Sequence, residues 1–204
     1  MTNPATVMAL APVIPVIVID DVARARPLAE ALVAGGLYAL EVTLRTPAAL
    51  DAIAEMAKVE GAMVGAGTVL NEAQLAGAIA AGARFVVSPG LTAPLAKAAI
   101  RANIPFLPGV ATASDIMRGL DLGLDRFKFF PAEASGGIAA LKALAAPFHQ
   151  VRFCPTGGIT AASAADWLAI PQVACVGGSW MAPRGPLDAA AVTAAARAAA
   201  ALAQ

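Results

Sequence analysis

A chain of 204 residues with a formal net charge of zero and only 14% charged side chains has no basic field to hold nucleic acid and no polybasic patch for an anionic membrane. Its mean hydropathy of +0.72 would suit lipid, yet apolar runs such as "MALAPVIPVIVI" are broken by proline and fall short of the ~18 residues a spanning helix needs. The expected partner is a small molecule. With no positive n-region in "MTNPATVMALAPV", the expected compartment is the cytoplasm.

Short β-branched runs alternate with alanine-rich stretches from one end of the chain to the other. The first run, "VIPVIVI" (13–19), is followed by the helical "VARARPLAEALVAGG" (22–36) and then by "LYALEVTL" (37–44). Later strand candidates are "AMVGAG" (62–67), "RFVVS" (84–88), "IPFLPG" (104–109), "DRFKFF" (125–130), "QVRFCPTGG" (150–158) and "QVACVGG" (172–178). Helical segments separate them, and the last segment, "LDAAAVTAAARAAAALAQ", is a strong helix former with a proline just before it. Gly35-Gly36 and Gly82 each close an alanine-rich segment shortly before a strand, as helix stops do.

Repeated βα units, with strands that read as continuous apolar runs because both faces are buried, predict a parallel sheet covered by helices. About eight or nine such runs fit a closed (β/α)8 TIM barrel in one domain spanning 1–204. An open doubly wound sheet is the rival, but the first strand is not followed by G-x-G-x-x-G.

Polar residues gather where strands end. In "LEVTLRT", Glu41, Thr43 and Arg45 alternate onto one face at the C-terminal end of a strand, which in a barrel is the mouth of the active site. The two charges could simply pair with each other; the functional reading has Arg45 grip a substrate carboxylate while Glu41 moves protons. The loops "GAGT" (65–68), "SPG" (88–90), "PTGG" (155–158) and "GGSW" (177–180) put small or polar residues at further strand ends. The last two fall where barrels build phosphate sites from glycine N–H groups and a short helix N-terminus.

Lys128 lies in "RFKFF", on the opposite face from Phe127 and Phe129 and near the strand's end. Burying an ammonium costs several kcal/mol unless it is paired or neutral. Desolvation by phenylalanines and a nearby cation such as Arg45 would leave a free amine, which attacks ketones. The alternative is a structural lysine paired with Glu41. His149, the one histidine, falls in a connection away from the expected mouth, and Cys154 and Cys175 sit in apolar runs as buried free thiols. Without a His or Cys cluster at ligand spacing, zinc-dependent aldol or hydrolytic chemistry is disfavoured and no metal or organic cofactor is expected.

Taken together, "PVIPVIVI", "LEVTLRT", "VGAGTVL", "SPGLT", "FKFFPAE", "VRFCPTGGI" and "GGSW" resemble, in order and spacing, the 2-keto-3-deoxy-6-phosphogluconate aldolases, class I aldolases of the Entner–Doudoroff pathway. The resemblance implies a (β/α)8 barrel, usually a homotrimer, that cleaves 2-dehydro-3-deoxy-6-phosphogluconate to pyruvate and glyceraldehyde 3-phosphate. It implies Lys128 as the Schiff-base lysine and Glu41 as the general acid/base. Arg45, Thr68 and the backbone around Pro89 match positions that hold the pyruvate moiety. Thr156 matches a threonine associated with stereocontrol, and Gly157, Gly158, Gly178 and Ser179 match the phosphate end. One departure is Ser135, where the family more often has asparagine. A sister aldolase acting on phosphogalactonate or 4-hydroxy-2-oxoglutarate is the second reading, and a noncatalytic phosphate-binding barrel is the third.

Overall fold

In the computed structural model, which describes residues 4–202, the βα alternation read from the sequence is present along the chain. The strands are β1 (Val13–Ile17), β2 (Ala39–Thr43), β3 (Met63–Gly67), β4 (Phe85–Val87), β5 (Phe106–Leu107), β6 (Gly109–Val110), β7 (Arg126–Phe129), β8 (Arg152–Pro155) and β9 (Val176–Gly178). The helices are α1 (Pro4–Met8), α2 (Ala25–Ala34), α3 (Ala49–Met56), α4 (Glu72–Ala80), α5 (Ala93–Arg101), α6 (Ala113–Asp121), α7 (Gly137–Ala145), α8 (Ala164–Leu168) and α9 (Ala189–Ala200).

All the strand pairs are parallel. Six strands form a curled sheet in the order β5-β4-β3-β2-β1-β9, and three more pair as β6-β7-β8. Isolated parallel bridges, Phe153 with Val173 and Thr156 with Gly177, run between β8 and the segment of β9. Where one strand was expected over 104–109, the structure has β5 and β6 with Pro108 between them. Proline has no N–H to give a ladder, although its carbonyl still accepts a hydrogen bond from Lys128 N at 2.9 Å.

Two apolar clusters explain the high hydropathy without lipid. The larger runs from Ala11 to Ala199 and packs the outer strand faces against the helices. The smaller gathers Ile14, Ala39, Phe85, Val87, Leu107, Cys154 and Cys175 on the other face, together with Val7 and Met8 of α1. β4 shows the division plainly, with Val86 in one cluster and its neighbours Phe85 and Val87 in the other.

Helix α1 was not anticipated from the sequence. Its five residues are too few for periodicity to register, and they earn their place by packing Val7 and Met8 against the inner cluster near Phe85, Pro105 and Leu107. At the other end of the chain, Asp188 caps α9 by accepting a hydrogen bond from Ala191 N at 3.0 Å. No described helix is long and apolar enough to cross a membrane.

Phe127, on the outer face of β7, is fully buried, and its ring lies where a side chain on Gly119 of α6 would have to go. Phe127→Ala is expected to lower stability by about 3–5 kcal/mol. Urea denaturation checks this through a lower midpoint at unchanged slope; a loss below about 1 kcal/mol would mean that the site collapses without a cavity.

Candidate active site

The face that carries the inner cluster also carries the polar site, because alternate residues of a strand share a face. Two residues beyond Ala39 on β2 is Glu41, two beyond Cys154 on β8 is Thr156, and two beyond Ile14 on β1 is Val16. Apolar side chains therefore form a floor, and the chemistry stands above it at the C-terminal strand ends.

Lys128 and Glu41 meet there. Lys128 Nζ donates a hydrogen bond to Glu41 Oε1 at 3.1 Å, and both side chains are 4% exposed. β7 brings the lysine in register with Gly109 and Cys154, while β2 sets Glu41 beside Val16 and Gly65. The Phe130 ring centroid lies 5.1 Å from Nζ, a cation–π distance. The partner of the lysine is thus a carboxylate, where the sequence had also led us to expect a nearby arginine.

Close backbone approach explains the neighbouring glycine. A Cβ on Gly67 would stand 2.2 Å from Glu41 Oε1, so β3 needs glycine there if the carboxylate is to lie flat against it. Beyond it, Thr68 has φ of 59°, a conformation that costs a β-branched residue on the order of 1–3 kcal/mol. Thr43, expected on the same face as Glu41, is buried and donates to Ile17 O at 3.0 Å, a tie between β2 and β1. Pro89 presents its carbonyl to Gly109, the residue paired with Lys128.

A cavity of about 400 Å³ opens at these strand ends, lined by Arg45, Phe130, Thr156, Gly157, Gly158, Gly178, Ser179 and Arg184 among others; Lys128, Glu41, Thr68 and Pro89 are not among its lining residues. Arg45 lies just past the end of β2 and is exposed. The Thr156 hydroxyl is buried and donates to Cys154 O at 3.3 Å. Gly157 and Gly158 have φ of +105° and +83°, values that a side chain would strain. The expected short helix does not begin at either glycine loop: α8 starts at Ala164, and after β9 the chain makes a turn closed by Ala182 N donating to Ser179 O at 3.1 Å.

Glu133 and Arg184 are not singled out by the sequence. Glu133 braces the loop at 157–158: its N–H donates to Gly157 O at 3.0 Å, and its carboxylate accepts from Trp167 Nε1 at 3.1 Å. The "PAE" ending of the lysine motif was the available signal. His149 is exposed, and Cys154 and Cys175 are buried free thiols. Hydrogen bonding to Cys154, together with burial, pushes the Cys175 thiol up. No group of three or more His, Cys, Asp or Glu residues able to hold a metal occurs among the described residues.

The family model described as "KDPG and KHG aldolase" matches residues 5–197. The chain belongs to that family. It is 62% identical over 192 residues to the 2-dehydro-3-deoxy-phosphogluconate aldolase of Zymomonas mobilis, covering 94% of this chain and 92% of the relative. The crystal structure of the 2-keto-3-deoxy-6-phosphogluconate aldolase of Zymomonas mobilis ZM4 with 3-phosphoglycerate superposes with a TM-score of 0.98 at 60% identity, covering 100% of this chain and 98% of the other. The KDPG aldolase of Legionella pneumophila, with pyruvate captured at low pH as a covalent carbinolamine intermediate, gives a TM-score of 0.95 at 48% identity, covering 98% of this chain and 99% of the other. Membership in the KDPG and KHG aldolase family makes this chain a carbon–carbon lyase.

Because the ion pair is buried, removing one partner leaves an uncompensated charge. Lys128→Ala is expected to destabilise the fold by about 3–5 kcal/mol, and adding Glu41→Gln to recover part of that loss. A double-mutant cycle by chemical denaturation checks it; additive losses would contradict the coupling.

Proposed function

We propose that the protein is a Schiff-base aldolase cleaving 2-dehydro-3-deoxy-6-phosphogluconate to pyruvate and D-glyceraldehyde 3-phosphate, the aldol step of the Entner–Doudoroff pathway. The observation that carries this reading is the buried contact between Lys128 Nζ and Glu41 Oε1 at 3.1 Å, next to Phe130, which lines the cavity of about 400 Å³. The relatives named above support the same substrate.

In this mechanism Glu41 accepts the ammonium proton, Lys128 attacks the substrate's C2 ketone to give a carbinolamine, and Glu41 returns the proton to the departing C2 oxygen, so that water leaves and a protonated imine forms. The imine withdraws electrons from the C3–C4 bond. Glu41 takes the proton of the C4 hydroxyl, directly or through a water, as that bond breaks and the aldehyde leaves. The enamine is then protonated at C3, and hydrolysis of the imine frees pyruvate. The carbinolamine captured in the Legionella enzyme supports the covalent step.

Each remaining residue has a place in the scheme. Arg45 holds the carboxylate, and Thr68 and the Pro89 backbone border the pyruvate moiety, contributing orientation rather than bond chemistry. Thr156 faces the hydroxyl-bearing carbons. Gly157, Gly158, Gly178 and Ser179 receive the phosphate, and binding energy there is used to position the reacting carbons.

The two sheets belong to one closed (β/α)8 barrel, a reading supported by the bridges from β8 to β9 and by the continuity of β5 and β6 through Pro108. The single larger apolar cluster, spanning Ala11 to Ala199, supports one domain. A homotrimer, on the strength of the family resemblance, and a cytoplasmic location complete the proposal.

Purified protein is expected to release pyruvate from the phosphogluconate substrate, read by a coupled dehydrogenase assay. Lys128→Ala should abolish turnover, and Glu41→Gln should lower kcat by about 10²- to 10⁴-fold. Equal kcat/KM on the phosphogalactonate epimer would contradict the narrow assignment, and unimpaired turnover by Lys128→Ala would contradict the covalent mechanism.

A further inference from the structure

Two cations line the cavity, Arg45 and Arg184. The aldolase reading above uses only the first. Arg184 follows β9 closely, on the connection that begins with Ser179 just after Gly178, and Gly177 of β9 is bridged to Thr156, the residue immediately before Gly157 and Gly158. It therefore stands at the end of the cavity assigned to phosphate, with β1 between it and the strand that leads to Arg45.

Arg184 is held by Asp20, which lies just past the end of β1. Nε donates to Oδ2 at 2.9 Å and Nη2 to Oδ1 at 2.6 Å, the two-pronged geometry that a guanidinium offers equally to carboxylate and to phosphate. The backbone beneath is anchored separately: Arg24 Nη2 donates to Pro183 O at 3.0 Å. The guanidinium can thus change partner while its main chain stays in place.

The two partners differ in what they offer. The Asp20 pair is solvent-exposed, at 64% for Arg184 and 52% for Asp20, and exposed pairs contribute little to stability. A phosphate monoester brings nearly two negative charges at neutral pH and three acceptor oxygens. Without the guanidinium, moreover, the Asp20 carboxylate would confront that phosphate as a like charge at the rim.

We propose that Arg184 determines specificity for the substrate's phosphate, paired with Asp20 at the rim and passed from that carboxylate to the phosphate on binding. This rests on the aldolase reading of the same cavity. It makes Asp20 a competitor for the arginine rather than a binding group, so the two residues act with opposite sign. A pair that merely stapled the β9 connection to β1 would give the same sign for both.

The test compares wild type, Arg184→Ala, Arg184→Lys and Asp20→Asn at low ionic strength. The substrates are 2-dehydro-3-deoxy-6-phosphogluconate and 4-hydroxy-2-oxoglutarate, which lacks the phosphate. Binding of inorganic phosphate is measured in parallel by calorimetry. Arg184→Ala is expected to raise KM for the phosphorylated substrate about tenfold and to lower its kcat/KM relative to 4-hydroxy-2-oxoglutarate by a similar factor. Arg184→Lys should recover part of that preference, and phosphate affinity should fall in step. Asp20→Asn should move KM and phosphate affinity the other way, toward about twofold tighter binding. An unchanged substrate ratio in Arg184→Ala, or weaker phosphate binding in Asp20→Asn, overturns the proposal. Wild-type protein that turns over neither substrate overturns the aldolase reading instead, and the calorimetry then still decides whether Arg184 binds phosphate.

Discussion

An ammonium and a carboxylate, both almost wholly removed from water, face each other at 3.1 Å between Lys128 and Glu41, and the rest of the structure is arranged around that contact. Taking two ions out of water costs several kcal/mol each unless geometry and partners compensate. The compensation is visible in the neighbours. Gly67 has no side chain, so Glu41 can lie against β3, and Phe130 offers the face of its ring to Nζ.

The same contact joins stability to chemistry. A buried ion pair adds little stability over well-packed apolar residues of similar volume, so packing alone gives no reason to keep one. In the proposed mechanism the reason is proton traffic: the carboxylate that compensates the ammonium is also the base that releases it. The apolar floor of Ile14, Ala39, Phe85, Leu107 and Cys154 keeps water from approaching from below, which leaves the cavity side for substrate. In the same proposal the far end is left to backbone loops and to the exposed Arg184, because a phosphate needs N–H groups and charge more than burial.

Much of this was legible in the sequence, for physical reasons that differ from residue to residue. Parallel strands buried on both faces leave continuous apolar runs, and each of the expected runs contains at least one strand of the structure. Lys128 stood out because lysine between phenylalanines contradicts ordinary burial, and strand alternation then oriented Glu41 to the same side. Other features left no local trace. The split at Pro108 depends on how a ladder is interrupted, and α1 is too short to show a period. Glu133 and Arg184 carry no anomaly in sequence, since a charged residue in a loop is the ordinary case; only the fold brings Arg184 back to Asp20, 164 positions earlier. The helix expected beside the phosphate loops was inferred from barrels in general, and turns occupy those positions here. Thr43 shows the converse limit, because its alternation was read correctly while its hydroxyl serves the sheet rather than the site.

The most direct test of the central claim is borohydride reduction in the presence of pyruvate, followed by intact mass and peptide mapping of wild type and Lys128→Ala. The account predicts one stable pyruvyl adduct per chain, mapped to Lys128 and absent from the variant. An adduct at Lys58, Lys97 or Lys142, or none at all, would leave the buried pair with Glu41 as a structural feature and contradict the Schiff-base mechanism.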